Sequence, residues 1–330
     1  MQGSVCDTEI MSNTRLSIAM ATYNGEMYVD QQLDSIARQS LLPDELVVSD
    51  DGSSDQTVQA VEDFARRSPF DVKIYRNKDN VGHAKNFERA ISLTKGEIIV
   101  LCDQDDIWFP NKLEKVKLRF KSGDFPWVVI NNAEIANKDA DLVGINLFAQ
   151  CRNLNVSAGQ GCCISFLGFM KELYLPIPHG QYHDFWIKQL ALLFHKVVYI
   201  PESLQIYRRH PTADSIAQRR DIDLTKKISL FDQYRIRRHT DSSATIQSWY
   251  NNLDLFALRI LEKGCDIMPI KERINIAFES IERMRRILFK RQHLLTFGRF
   301  KKILSASEML LQGEYHFFSG WKSFLKDILM

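Results

Sequence analysis

Short apolar segments alternate with amphipathic segments along the first third of the chain. The apolar runs begin near residues 16, 46, 72 and 98, so they recur every 26 to 30 residues. Between them, apolar positions recur at the three- to four-residue spacing of a helix with one buried face. This alternation predicts an α/β fold with a mostly parallel sheet and helices on both of its faces.

The pattern predicts strands at residues 16–21, 46–48, 72–75, 98–101 and 128–131. It predicts helices from Met27 to Gln39, from Gln56 to Arg67 with Ser54 as the N-cap, and from Ala84 to Ile91. Helical periodicity returns over Leu224–Lys263 and Ile270–Gln292, which predicts a C-terminal helical region.

Polar clusters follow each of the first four predicted strands. They are TYNG at 22–25, DDGSSD at 50–55, NKDNVG at 77–82 and DQDD at 103–106. Ligands of open parallel sheets bind beyond the carboxyl ends of the strands. We therefore expect these clusters to line one crevice, although neither a GxGxxG dinucleotide motif nor a P-loop is present.

Three carboxylates, Asp103, Asp105 and Asp106, lie within four residues of one another. Like charges at this spacing favour a hard divalent cation, which prefers oxygen ligands and also binds phosphate. An EF-hand starting at Asp103 is excluded, because Trp108 stands where the calcium loop requires glycine.

Composition is that of a soluble globular protein, with 45% hydrophobic and 25% charged residues. No apolar run approaches the roughly 18 residues of a membrane-spanning helix, and the N-terminus has no signal-peptide pattern. We therefore expect a cytoplasmic protein. The six cysteines form no CxxC pair, which indicates reduced thiols in or near the core.

Charge is distributed unevenly. Residues 1–218 contain 22 Lys and Arg against 28 Asp and Glu, a net of −6, whereas residues 219–330 contain 21 against 13, a net of +8. Residues 283–302 include eight basic residues and no acidic one. The two regions are thus expected to have different partners, and the acidic half argues against nucleic acid.

The segment from Leu16 to about Leu118 resembles the family 2 glycosyltransferases, which are inverting nucleotide-sugar enzymes. The matching segments are ATYNG (21–25), VVSDDGSSDQT (47–57), NVGHAKNF (80–87) and LCDQDDIWFPNKL (101–113). The resemblance implies the GT-A fold, with a Rossmann-like, mostly parallel sheet. DQDDIW together with the later YHDFW most resembles bacterial rhamnosyltransferases of cell-surface polysaccharides, O-antigen among them.

The resemblance also implies a division of the chain. A leader would cover residues 1–15, a GT-A catalytic domain 16–218, and a basic helical region 219–330. Within the catalytic domain, the nucleotide-sugar half would extend over residues 16–125 and the acceptor half over 126–218.

By the same resemblance, eight residues would bind the nucleotide: Thr22, Tyr23, Asp50, Asp51, Asn80, Gly82, Asp103 and Asp105. Thr22 and Tyr23 would flank the base, and Asp51 would accept its N–H. Turn chemistry is the alternative for Asp50 and Asp51, since Asp-Gly favours turns unaided. Lys85 could reach a phosphate or be an ordinary solvated helix lysine.

Metal and proton chemistry would be divided between distant positions. Asp105 and His210 would bind Mg²⁺ or Mn²⁺, and Asp184 would be the catalytic base. A helix N-cap is the alternative for Asp184, and His183 is an alternative base. Seven further residues would contribute to the donor and acceptor pocket: Asp106, Trp108, Gly161, Cys162, His183, Trp186 and Arg208. Trp186 could instead belong to the core.

The expected reaction transfers a sugar from a pyrimidine nucleoside diphosphate sugar, either dTDP-rhamnose or a UDP-hexose, to a saccharide or lipid-linked saccharide. A nucleotide-sugar-binding module without turnover and a sugar-phosphate nucleotidyltransferase are the alternatives. Residues 211–215 are expected to form a mobile loop that could cover the donor.

Three roles remain open for the C-terminal helices: packing on the catalytic domain, homodimerisation, or peripheral contact with the cytoplasmic face of the inner membrane. The basic residues from Arg283 to Arg291, beside Ile287, Leu288 and Phe289, resemble an interfacial amphipathic stretch.

Overall fold

The computed structural model describes residues 14–123, 125–151, 154, 160–210, 242–317, 323–324 and 327–328. The chain divides into two compact units. The first comprises Met1–Phe148, Gly159–Ala191 and Lys196–Arg219, and the second comprises Ala149–Ala158, Leu192–His195 and Arg220–Met330. Most of the leader and the expected loop at 211–215 lie outside the described residues.

Among the described residues, nine strands form one sheet in the first unit. They are β1 (Leu16–Thr22), β2 (Glu45–Asp50), β3 (Asp71–Arg76), β4 (Ile98–Asp103), β5 (Ile107–Trp108), β6 (Val128–Ala136), β7 (Leu142–Asn146), β8 (Ile164–Leu167) and β9 (Val197–Arg208). Their order is β3-β2-β1-β4-β8-β6-β9-β5, with β7 paired to β6. The first four strands pair in parallel, and β8 pairs antiparallel to both β4 and β6.

The helices of the first half are Val29–Ala37, Thr57–Arg67, His83–Leu93 and Lys112–Phe120. Shorter helices at Leu147–Gln150 and Lys171–Tyr174 precede His183–Leu193. The C-terminal helices are Ser242–Arg259, continued by a π-helical turn at Ile260–Gly264, then Met268–Lys271, Ile274–Leu294 and Arg299–Leu311. The mixed α/β fold and the C-terminal helical region confirm the predicted fold class.

Continuous apolar runs form the centre of the sheet. Every residue of β1 and of β2 is buried, and β4 is buried up to Cys102. A strand covered on both faces reads as a near-continuous apolar run, which is why these strands were recognisable in the sequence. The half-buried β3 stands at the edge.

Two local predictions were wrong. Met27 lies before the helix Val29–Ala37 and is 75% exposed, so it is not part of the buried face. Ser54 does not cap the next helix, because Gln56 occupies the N-cap position and the Ser54 hydroxyl instead lies 3.4 Å from Asn24 Oδ1. Asp55 Oδ1 instead accepts the N–H of Thr57, the first helical residue, at 3.0 Å.

The second unit has its own core, with Leu253, Phe256 and Ile281 at most 1% exposed. Ser280 Oγ donates to the Leu193 carbonyl at 3.0 Å, which ties the short segment 192–195 to the helix Ile274–Leu294. The predicted helix Leu224–Lys263 begins in residues outside the described part, and its described portion starts at Ser242. Within the described residues, no helix is both long and apolar enough to cross a bilayer.

Candidate active site

The ends of β1 and β2 meet through Asp50. Thr22 lies opposite Asp50 in the parallel ladder, and its hydroxyl donates to Asp50 Oδ2 at 3.0 Å. Asp50 Oδ1 also accepts the N–H groups of Gly52 at 3.1 Å and of Ser53 at 2.9 Å. Asp50 is 1% exposed, so these contacts favour a turn-forming role over direct donor binding.

Asp51 joins the end of β2 to the loop after β3. Its carboxylate accepts the N–H groups of Val81 and Gly82 at 2.9 Å each, and the amide of Asn77 at 2.8 Å. Gly82 has φ +86°, a left-handed conformation that favours glycine, and the helix His83–Leu93 begins directly after it. Asp51 and Gly82 are therefore brought together, while Asn80 is exposed in the same loop.

Gln104, the middle residue of the DQD triplet, fixes the backbone of Tyr23. Its Oε1 accepts the Tyr23 N–H and its Nε2 donates to the Tyr23 carbonyl, both at 2.9 Å. A Cβ on Gly25 would come within 2.2 Å of Gln104 Oε1, so a larger residue there would displace the Gln104 side chain. Tyr23 itself is 46% exposed at the crevice. No role for Gln104 was predicted from the sequence, because its partners are backbone atoms of Tyr23, 81 residues away along the chain.

Asp103 ends β4 and faces His83. His83 Nε2 lies 3.5 Å from Asp103 Oδ1. Burial alone would raise the pKa of the Asp103 carboxyl, but the hydrogen bond and charge of His83 bring that pKa below its ordinary value. His83 was not among the residues predicted for the site.

Asp105 and His210 form the pair expected to bind metal. Asp105 Oδ2 lies 2.8 Å from His210 Nε2, and the two side chains are 16% and 5% exposed. Two adjacent ligands, each about 2.1 Å from an octahedral ion, are about 3 Å apart. The pair therefore fits a Mg²⁺ or Mn²⁺ ion with little rearrangement. The His210 ring packs 4.6 Å from Tyr28.

Asp106 points away from this pair and is fully buried. It accepts the Gln205 side-chain amide at 2.7 Å and the Arg208 N–H at 3.2 Å. Burial, together with the nearby charges of Asp105 and Asp103, raises the pKa of Asp106 well above its ordinary value. This environment favours a neutral carboxylic acid that attaches the loop to β9.

Arg208 is also occupied by protein contacts. Its guanidinium donates to the carbonyls of Asp105 and Lys138, each at 2.8 Å, and to the Gln31 side chain at 2.5 Å. Arg208 is 3% exposed and its guanidinium lies 4.9 Å from the Tyr28 ring centroid. These contacts favour holding the Asp105 loop over direct contact with the donor or acceptor.

A second acidic cluster combines Asp103, Asp106 and Cys162, whose potential ligand atoms lie within 4.8 Å of one another. Burial raises the pKa of the Cys162 thiol well above its ordinary value, and the pKa of Asp106 is also high. Protonated groups bind metals poorly, and Mg²⁺ and Mn²⁺ prefer carboxylate oxygens to sulfur. Asp105 and His210 are therefore the better-suited pair.

Asp184 is the second residue of the helix His183–Leu193. Burial raises the pKa of its carboxyl above the ordinary value, and the Phe185 N–H, Lys188 and His83 offset this only in part. A raised pKa is what a general base at neutral pH requires. Asp184 Oδ1 accepts the Phe185 N–H at 2.6 Å.

His183 lies in an apolar packing site. Its ring stacks on Phe87 at 4.2 Å and contacts the His83 ring at 5.0 Å. Neither ring nitrogen has a hydrogen-bond partner among the described residues, and burial lowers the His183 pKa to about 3. A Cβ on Gly161 would come within 2.2 Å of His183 Nε2, so Gly161 makes room for this ring. A neutral, 3% exposed His183 is poorly suited to act as the base.

Three other residues predicted for the site, Trp186, Trp108 and Cys162, are buried. Trp186 is 1% exposed and donates its indole N–H to the Tyr174 carbonyl at 2.9 Å, which favours the core alternative. Trp108 is 2% exposed, with Lys112 Nζ 3.9 Å from its ring centroid. Lys112 also donates to the Cys162 carbonyl at 3.0 Å, so Cys162 anchors a buried lysine.

The Lys85 ammonium is bound by two protein groups. Its ammonium donates to Glu88 Oε2 at 2.7 Å and to the Ile177 carbonyl at 2.9 Å. These two hydrogen bonds satisfy the Lys85 ammonium without a bound phosphate.

Residues 17–173 match the sequence model of glycosyl transferase family 2. The dTDP-rhamnosyl transferase RfbG of Shigella flexneri is 38% identical over 99 residues, which cover 29% of this chain and 34% of that protein. The UDP-Glc:alpha-D-GlcNAc-diphosphoundecaprenol beta-1,3-glucosyltransferase WfgD of Escherichia coli is 29% identical over 189 residues, covering 54% of this chain and 71% of that protein.

Among the curated relatives, the matched part spans between 30% and 74% of the relative's own length. The fold is similar to that of S. aureus TarS residues 1–349 in complex with UDP-GlcNAc, with a TM-score of 0.51 and 16% identity. That similarity covers 95% of this chain and 81% of TarS 1–349. Residues 17–173 are therefore similar to family 2 glycosyltransferases, and the fold is similar to that of TarS 1–349.

Proposed function

We propose that the protein is a metal-dependent inverting glycosyltransferase whose donor is a pyrimidine nucleoside diphosphate sugar. One observation carries the proposal. Within a single compact unit, the Asp105–His210 pair, separated by 2.8 Å, accompanies an Asp184 carboxyl whose pKa is raised. A metal ion bound by the Asp105–His210 pair would stabilise the negative charge on a leaving diphosphate. A carboxyl with a raised pKa, such as that of Asp184, is suited to accept a proton.

The proposed reaction is a single displacement. The acceptor hydroxyl oxygen forms a bond to the anomeric carbon while the bond from that carbon to the diphosphate oxygen breaks. The hydroxyl proton passes to Asp184, and the electron pair leaves with the nucleoside diphosphate. A Mg²⁺ or Mn²⁺ ion held by Asp105 and His210 would supply positive charge to the diphosphate.

The residues behind the site would maintain its geometry. Arg208 bonds to the backbone of Asp105, and Asp106 bonds to Gln205 and Arg208 on β9. Catalytic groups need supporting contacts to hold them near their productive positions. The proposed roles are thus metal binding for Asp105, and support of the loop for Asp106 and Arg208.

The pyrimidine donor is supported by the names of the similar proteins. RfbG is named for a dTDP-rhamnosyl donor and WfgD for UDP-Glc, and TarS was crystallised with UDP-GlcNAc. These donors share a pyrimidine nucleoside diphosphate and differ in the sugar. We accordingly propose dTDP-rhamnose or a UDP-hexose as donor, for cell-surface polysaccharide synthesis.

The acceptor we propose is a saccharide or lipid-linked saccharide. The name of WfgD includes a GlcNAc-diphosphoundecaprenol acceptor, which is lipid-linked. A peripheral position at the cytoplasmic face of the inner membrane would suit such an acceptor.

Thermal unfolding with Mn²⁺ and a panel of donors tests the first half of the proposal. One pyrimidine diphosphate sugar is expected to raise the midpoint more than the others, because a ligand that binds only the folded state stabilises it. Nucleoside diphosphate release with saccharide acceptors then tests transfer. Calorimetric binding without release from any acceptor would indicate a binding module, and pyrophosphate release from a nucleoside triphosphate would indicate a nucleotidyltransferase.

A further inference from the structure

The helix Arg299–Leu311 presents large apolar side chains to solvent. Four of them are at least 40% exposed: Phe300 at 77%, Ile303 at 40%, Leu304 at 57% and Leu311 at 88%. At 3.6 residues per turn these positions fall on one side of the helix, and we call them the apolar face.

The core of the C-terminal unit uses a different side of the same helix. Ala306 and Met309 are 0% and 4% exposed and lie on that other side. The helix therefore has two apolar sides, of which the described residues of this unit cover one. Large apolar side chains clustered at the surface of a soluble protein are typical of an interaction site.

The sequence had pointed to the preceding helix for this role, and the structure corrects that expectation. Ile287 and Leu288 are 2% and 0% exposed because they face the core of the unit. Arg291 is buried as well, with its guanidinium bound to Asp327 at 2.7 and 3.0 Å. Of the predicted apolar residues there, Phe289 alone is exposed, at 58%.

Both basic and acidic side chains flank the apolar face, since Glu308 is exposed on the same helix. Lys301 is exposed on the same helix, with its ammonium 4.4 Å from the Phe297 ring centroid. Lys290 Nζ contacts Glu314 Oε1 at 2.5 Å, and Glu314 follows Leu311 by three residues. Glu314 thus offsets the charge of Lys290, while Arg286 on the same helix as Lys290 is exposed.

We propose that the apolar face of Arg299–Leu311 docks onto the surface of an anionic lipid membrane. Its apolar side chains would enter the boundary between headgroups and acyl chains, and the flanking cations would attract the anionic headgroups. Contact of this kind is peripheral, in keeping with a described structure in which no helix could span a bilayer.

Charge favours a membrane over other occupants. Residues 219–330 carry a net charge of +8, so a second copy placed symmetrically on this face would bring like charges together. Nucleic acid would match the lysines but would leave the apolar face in water. An anionic bilayer satisfies both the apolar and the basic groups. This inference does not depend on the proposed transfer reaction, because it concerns binding alone.

Sedimentation of the full chain with vesicles tests the inference. We expect binding to vesicles that contain phosphatidylglycerol and weak or no binding to pure phosphatidylcholine. The triple variant Phe300→Gln, Leu304→Gln, Leu311→Gln should bind at least about tenfold more weakly, since interfacial binding scales with the buried apolar area. Raising salt from about 0.1 M to about 1 M shortens the Debye length from about 10 Å to about 3 Å and should also weaken binding.

The matched control is Leu42→Gln, Leu118→Gln, Leu142→Gln, which removes three leucines that are 40% to 58% exposed in the other unit. It should bind vesicles like the parent. Thermal unfolding monitors folding, and if the triple variant is unfolded, the single variant Leu311→Gln takes its place. Parent-like vesicle binding by the folded variant, absence of binding by the parent, or a parent dimer that the substitutions dissociate would each overturn the proposal.

Discussion

Asp105 and Asp106 are neighbours in the chain and have opposite environments. Asp105 faces the crevice and lies 2.8 Å from His210, whereas Asp106 is fully buried and bonds to Gln205 and Arg208 on β9. The same contrast between partly exposed and buried side chains separates two groups of site residues. We call the half-buried residues Asp103, Asp105 and Asp184 the front layer, and the buried residues Asp106, Lys112 and Arg208 the back layer. Two neighbouring aspartates therefore differ in environment, and their residue type does not reveal the difference.

Removing the proposed base should have the largest effect on the front layer. Asp184→Asn keeps the size of the side chain but cannot accept the proton, so turnover should fall by about 10²- to 10⁴-fold. Donor-induced thermal stabilisation should stay near that of the parent. Full turnover in this variant, measured as nucleoside diphosphate release with acceptor, would remove Asp184 from the mechanism.

Substitution of Gly161 tests the packing around His183, the first residue of the helix that contains Asp184. In Gly161→Ala the new Cβ would meet His183 Nε2 at 2.2 Å, so the free energy of unfolding should fall by about 1–3 kcal/mol. Gly123→Ala is the matched control, since nothing lies within 4 Å of a Cβ there. Equal stability of the two variants in urea unfolding would contradict the close approach.

Asp106→Asn tests the back layer. The amide nitrogen cannot accept one of the two hydrogen bonds that Asp106 accepts, so we expect a loss of about 1–3 kcal/mol in the free energy of unfolding. The folded pKa of Asp106 is raised, so its contribution to stability is complete below the ordinary value of 3.8 and declines as pH rises towards the folded pKa.

The stability difference between the parent and Asp106→Asn should therefore shrink as pH rises. Urea unfolding at several pH values measures it. A difference that grows with pH would mean that Asp106 is ionised in the folded protein.

The smallest expected effect concerns His83. It lowers the pKa of Asp184, so His83→Gln should raise that pKa and move the acidic limb of the pH–rate profile to higher pH. If His83 had a purely structural role, His83→Gln would lower turnover at every pH without moving the acidic limb of the profile. His293→Gln, an exposed histidine of the C-terminal unit, is the control and should leave the profile unchanged.

The sequence predicted the part of the fold that depends on local pattern. Strands β1, β2 and β4 are buried on both faces and appear as apolar runs, and the polar clusters at their ends do meet. The antiparallel part of the sheet was not predictable in this way. Strand β5 has two residues, and its pairing of Ile107 with Ile206 joins positions far apart in the chain.

The same limit applies to the candidate site. The distinction between Asp105 and Asp106 depends on β9, because Gln205 and the Arg208 N–H bind one of them. Gln104 and His83 act through partners that the spacing of motifs does not reveal, namely the Tyr23 backbone and Asp103. Arg208 has the charge of a phosphate ligand, but its guanidinium donates to Asp105, Lys138 and Gln31.

Metal-dependent nucleoside diphosphate release by Asp105→Asn and Asp106→Asn tests the central claim most directly. With the preferred donor, acceptor and Mn²⁺, Asp105→Asn should lose about a hundredfold or more of turnover, because it weakens stabilisation of the leaving group's charge. Folded Asp106→Asn should keep turnover within about tenfold of the parent and respond to Mn²⁺ as the parent does. Equal losses in the two variants, or full metal-stimulated turnover by Asp105→Asn, would contradict the assignment of the two carboxylates to different layers.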